Sequence, residues 1–237
     1  MKKIILFVLL ISATIAYAQS PSNSPEIKKP AKEYGKTSSD ALVLSLFSDV
    51  WQKVPDSISA RGINQGISAA GMYNIKMGTG NFSFAFGLGI TVHNFYSNGN
   101  LVLDSAKVSE FTKLPTSVNG QKTDYQINKL SIANIDIPVE FRFQTPSKIR
   151  IALGFKFGFK LDAHTKYKGA DITDGDGSMF VKNNRIENLE KSSYTLTARV
   201  GYKWFIVNAG YSLNSIFMKD KGPQMYPISI GLTAIPF

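Results

Sequence analysis

The sequence predicts an all-β chain, an eight-stranded antiparallel up-and-down transmembrane β-barrel. Three observations carry that prediction. Apolar and polar residues alternate with period two over many segments, the mark of strands with two unlike faces. Long and short connections between those segments alternate strictly. The polar face is rich in glycine and serine, which suits a narrow barrel lumen and not a solvated exterior.

The strands follow in chain order. Two weaker segments come first, about 41–51 and 65–76. In the third, Phe82, Phe84, Phe86, Leu88, Ile90 and Val92 oppose Ser83, Ala85, Gly87, Gly89, Thr91 and His93. The fourth is the clearest: Ile135, Ile137, Val139, Phe141 and Phe143 oppose Asn134, Asp136, Pro138, Glu140 and Arg142. In the fifth, alternate residues from Ile149 to Leu161 oppose Arg150, Ala152, Gly154, Lys156, Gly158 and Lys160. Tyr194, Leu196, Ala198, Val200 and Tyr202 oppose Thr195, Thr197, Arg199, Gly201 and Lys203. Val207, Ala209, Tyr211 and Leu213 then oppose Asn208, Gly210, Ser212 and Asn214, and Ile228, Ile230 and Leu232 oppose Ser229, Gly231 and Thr233.

Tight turns are expected at Gly78–Asn81, Thr145–Lys148 and Lys203–Phe205, and long loops at about 52–64, 95–128, 162–192 and 215–226. Short periplasmic turns and long outer loops are the habit of membrane barrels. Aromatic residues near the strand ends (Tyr73, Phe82, Phe95, Tyr96, Phe143, Tyr202, Trp204 and Tyr226) fit interfacial girdles. The C-terminus fits less well. Ile235 and Phe237 have the opposite parity to Ile230 and Leu232, Pro236 interrupts, and a bulge near Ala234 would reconcile them.

Residues 1–18 read as a signal peptide: Lys2 and Lys3, an apolar run, then Ala16-Tyr17-Ala18 before Gln19. Residues 19–40, rich in proline, lysine and serine, read as a disordered periplasmic linker, and 41–237 as the barrel domain. The chain has no cysteine, which excludes disulfides and a lipid-anchored leader. No stretch after residue 18 is long and apolar enough for a membrane-spanning helix. The net charge of +10 suits acidic headgroups and lipopolysaccharide phosphates; no recognition motif points to nucleic acid.

DIPVEFRF at 136–143, FSFAFGLGI at 82–90 and the closing YPISIGLTAIPF resemble the outer-membrane β-barrel family of Bacteroidota, PorT-like proteins of the broad OmpA/OmpX type. LFSDVWQKVPDS at 46–57 and GINQGI at 62–67 resemble the first strand and outer loop of such proteins. The resemblance implies the fold and a location in the cell outer membrane. It carries over no functional residues.

The polar face carries the candidate chemistry. Asp136, Glu140 and Arg142 should face Arg150, Lys156 and Lys160 inside the barrel as a lumenal ion network, because buried charges must pair. His93 and His164 are the two histidines, and no local motif builds either into a Ser-His-acid arrangement. DITDGDGS at 171–178 offers Asp171, Asp174 and Asp176, but the EF-hand spacing fails: Ile172 would fall at the first ligand and Asn183 at the bidentate one. Catalytic residues, metal and cofactor are therefore all expected to be none. The expected function is a plugged barrel with a structural or docking role through its outer loops, in contact with outer-membrane lipid, lipopolysaccharide and a protein partner. The alternatives are a narrow channel and a lipid A-modifying enzyme.

Overall fold

The computed structural model describes residues 42–173 and 177–235. The predicted signal peptide, the predicted linker, Asp174, Asp176, Pro236 and Phe237 lie outside the described residues.

Alternation becomes strands where it was expected: β1 (Val43–Gln52), β2 (Asn64–Lys76), β3 (Phe82–Tyr96), β4 (Tyr125–Gln144), β5 (Ile149–Ala170), β6 (Ser192–Tyr202), β7 (Phe205–Ser212) and β8 (Tyr226–Ala234). Each pairs antiparallel with its neighbour in sequence, and β8 returns to β1 in the register Leu44↔Ala234 to Gln52↔Tyr226. The ring is closed, so no barrel strand is left with a free edge, as hydrocarbon demands. At the closing seam the Ser45 and Thr233 hydroxyls meet inside the lumen at 2.8 Å.

The apolar parity faces out. Leu46, Leu88, Phe141, Leu153, Val200 and Leu232 are all exposed, whereas Asp49, Asp136, Glu140 and Thr233 on the opposite parity are buried. Several lumenal glycines are spaces for specific neighbours. Phe47 pairs with Gly66 on one side and Gly231 on the other. A Cβ on Gly66 would stand 2.1 Å from the Phe47 ring, and one on Gly231 2.1 Å from the Leu46 carbonyl oxygen.

Three expectations are revised. First, the strands outrun their alternation. β4 starts at Tyr125 and β5 continues to Ala170, and a further strand, Ser178–Asn183, pairs with the outer part of β5. The signal was lost because β5 carries a bulge. Ala133 pairs with Asp162 and Asn134 with Lys160, leaving Leu161 as the extra residue. The faces then exchange, so that Ala163 and Tyr167 are buried above it.

Second, Phe95 is not part of a girdle. It shares the inward parity of His93 and is fully buried. Third, no bulge at Ala234 is needed. Thr233 is buried, Ala234 is exposed, and Ile235 packs against Val43, Met72 and Ala85. The change in apolar parity marks a greasy floor at the short-turn end of the lumen.

Candidate functional site

The lumen is layered. Near the short turns lies the apolar floor of Val43, Met72 and Ala85, joined by Ala70 and Ile235. The mid-lumen is ionic. β4 supplies Asp136 and Glu140, both buried, because its inward parity is polar from Asn134 to Arg142. Lys156 Nζ from β5 sits 3.4 Å from Asp136 Oδ2 and donates to Thr91 Oγ1 at 3.1 Å, and Thr91 Oγ1 donates to Asp136 Oδ2. Arg142 Nε donates to Glu140 Oε2 at 2.9 Å, and Arg199 from β6 donates to both oxygens of the same carboxylate.

Four of the six expected residues are thus brought together in two clusters, Asp136–Lys156 and Glu140–Arg142. Arg150 lines a cavity of about 40 Å³ with Arg142, Asn74 and Ser83. Lys160 lies apart, toward the outer mouth, where its Nζ donates to the Leu189 carbonyl at 3.2 Å. Arg199 was missed as a partner although its parity placed it inside. The expectation drew on two strands, and Arg199 reaches Glu140 from the next one.

A third cluster sits nearer the outer mouth. Asp49 is fully buried; its Oδ1 accepts from Ser229 Oγ at 2.6 Å and its Oδ2 lies 2.8 Å from His93 Nδ1. The carboxylate stands between hydroxyl and imidazole. A nucleophile–base pair needs the imidazole on the hydroxyl, so this order orients side chains and does not activate Ser229. Cavities of about 90 Å³ beside Asp136 and Glu140 and about 40 Å³ beside His93 and Lys160 are polar enough to hold waters. Among the described residues, no group of histidine and carboxylate side chains could hold a metal ion.

Above the ionic layers the outer mouth is covered. Trp51, Phe95, Leu130, Ile132 and Ala163 from the strand ends pack with Ile58, Phe111, Leu189, Phe217 and Met225, which come from all four outer loops. Loop backbones knit the cap together. Ser109 N donates to Lys221 O at 3.0 Å, Met218 N to Asn188 O at 2.8 Å, and Ser59 N to Asn98 Oδ1 at 2.8 Å. The second loop contains its own hairpin, Gly99–Leu103 paired with Ser109–Lys113. In the outer part of β5, clear of the apolar belt, buried Tyr167 donates its hydroxyl to Ala170 O at 2.7 Å. Burial pushes its phenol pKa up, and Asp171, Tyr125 and Asp124 push it further.

A closed ring with lipid-compatible sides, short turns at one end and a capped mouth at the other has a counterpart among known families. The family model described as outer membrane protein beta-barrel domain matches residues 38–217. The chain belongs to this family. As an outer membrane β-barrel protein, it resides in the outer membrane with its sides in lipid. Among solved structures, the attachment invasion locus protein Ail of Yersinia pestis, in complex with the heparin analogue sucrose octasulfate, is similar. The match has 11% sequence identity and a TM-score of 0.33, covering 81% of this chain and 96% of that one. A search of curated proteins finds no match to the barrel protein.

Proposed function

We propose that this protein is a plugged, non-enzymatic barrel whose outer loops form a fixed docking head, exported through cleavage of the leader at residues 1–18 and tethered by the linker at 19–40. One observation carries the docking reading: all four outer loops contribute side chains to a single apolar cap. Loops tied to one core present a constant surface, whereas loops serving only as connections have no need of one. The ion pairs Asp136–Lys156 and Glu140 with Arg142 and Arg199 serve in this reading as the plug, with the apolar cluster of Val43, Met72 and Ala85 beside them, Arg150 toward the short turns, and Lys160 and the cap above. The likeness to PorT-like barrels of Bacteroidota rests on the sequence segments quoted above.

Two experiments test this. Full-length protein in a planar bilayer should show no sustained conductance at neutral pH; sustained conductance would make it the narrow channel. A photo-cross-linking residue in place of exposed Leu103, on the second-loop hairpin, should give adducts heavier than the monomer on whole cells. Its absence would reject the docking role. The protein partner is read at the head, and the lipid partner at the barrel wall, where the net charge of +10 favours acidic headgroups.

A further inference from the structure

The barrel wall carries a row of cations along one line of cross-strand partners. Strand register places Tyr96, Lys129, Lys166 and Lys182 side by side: Tyr96↔Lys129, Lys129↔Lys166 and Lys182↔Lys166 are direct cross-strand partners. Direct partners share a face, and here it is the outward one, because inward Phe95 and Leu130 on the flanking positions are buried in the cap. Arg61 joins the row, its guanidinium 5.6 Å from the Tyr96 ring centroid, and Lys129 Nζ lies 5.4 Å from the same ring. Lys168 stands two residues further out, paired with exposed Phe180, and the Lys166 ammonium lies 5.3 Å from the Phe180 ring.

Like charges placed directly opposite each other in a sheet are destabilising. Here three lysines repel along one row. Lys129 Nζ donates to Asn94 Oδ1 at 2.8 Å, and among the described residues none of the three has a carboxylate within ion-pair distance. Asp162, an acid on this face two rungs below the row, is engaged by His164 at 3.1 Å. The height is specific too. The outward apolar belt ends at Val92, Ala133 and Leu161; one polar rung follows (Asn94, Ser131, His164), and the cation row comes next. At about 3.3 Å per residue along a strand, the row sits where lipid headgroups begin. With about 4.8 Å between strands, three lysines span roughly 10 Å, wider than a single phosphate.

We infer that Lys129, Lys166 and Lys182, with Arg61 and Tyr96, form a binding site for the headgroup of an outer-leaflet lipid carrying two phosphates. The inference deepens the lipid contact proposed above and relies on that reading for the contact alone, not on the docking head.

The test uses the full chain in detergent, titrated with bis-phosphorylated lipid A, monophosphorylated lipid A and inorganic phosphate, and read by native mass spectrometry. Its variants are the triple substitution Lys129→Gln, Lys166→Gln, Lys182→Gln and a charge-matched control in exposed loops, Lys113→Gln, Lys122→Gln, Lys219→Gln. The row variant should weaken the bis-phosphorylated lipid on the order of a hundredfold, the combined effect of three lysines at an anionic lipid surface, and the control should leave it within a few fold. Equal loss in both variants would reduce the effect to net charge and overturn the site. Equal affinity for the two lipids would overturn the two-phosphate reading, and saturation by inorganic phosphate would make it a small-anion site. Heat-shifted gel migration reports folding of each variant separately. Loss of all lipid contact by wild type would defeat the broader reading, whereas loss of selectivity alone defeats only the site.

Discussion

Arg199 on β6 holds both carboxylate oxygens of Glu140 on β4 from across the intervening strand β5. The reach is open because Gly154 of β5 lies between them, paired with both Glu140 and Thr197. A Cβ there would stand 2.7 Å from Glu140 Cγ and 2.5 Å from the Val139 carbonyl oxygen. A missing side chain is thus part of an ion pair's geometry.

Removing Glu140 would take the carboxylate from Arg199 and one partner from Arg142 in a buried layer. Glu140→Ala should therefore cost about 3–5 kcal/mol in denaturant unfolding from lipid vesicles. The apolar pair Glu140→Leu with Arg199→Met should cost clearly less than either single change. A double variant worse than both singles would show that the pair is not the unit of stability.

Phe47 and Gly66 make a second pair of this kind. Gly66→Ala should destabilise the barrel by about 1–3 kcal/mol through overpacking against the ring. Adding Phe47→Ala should relieve that particular clash, so the two changes should be non-additive in a double-mutant cycle. Simple additivity would mean that the ring moves aside without cost.

The cap and the plug should separate experimentally. Phe217→Ala removes a fully buried cap residue, a loss of about 3–5 kcal/mol. The loss should fall on the head, seen as faster proteolysis of the outer loops on intact cells. Planar bilayers should stay closed, since the ion-paired layers lie below. Conductance in this variant would transfer the plugging role from the lumen to the cap.

Tyr167 gives a dependence on pH. Its folded pKa is raised, so the folded state keeps its proton longer than the unfolded chain does. Stability from this group is complete below about pH 10, the unfolded value, and is lost as pH rises through the folded one. Ultraviolet difference titration of wild type against Tyr167→Phe should show the missing phenol ionising above the ordinary tyrosine value. A transition at or below that value would refute the assignment.

The barrel was legible because its signal is repeated: six segments show the same clear period after two weaker ones, and the tight turns are marked by residues such as Gly78 and Pro146. Parity grouped Asp136, Glu140, Arg142 and Lys156 with Gly154 and Gly158 on one face, and the glycine and serine of that face assigned it to the lumen. The cap was not legible. Ile58, Phe111, Leu189, Phe217 and Met225 come from four separate loops with no periodicity, and only the closed ring brings them together. The Leu161 bulge hid the outer half of β5 for a related reason: one unpaired residue reverses the alternation that identifies a strand. Asp49 escaped notice because β1 carries large apolar side chains on both faces, Leu46 and Val50 outside, Phe47 and Trp51 inside.

The cap also dictates an order of events during assembly. Each loop brings only one or two buried apolar side chains, too few to form a core alone, and β1 must meet β8 before the four loops can converge. The cap should therefore be the last part of the molecule to take shape. A pulse of surface protease should cut the loops of newly inserted chains and spare those of mature ones. The exposed window, not the finished fold, is where this protein is most vulnerable.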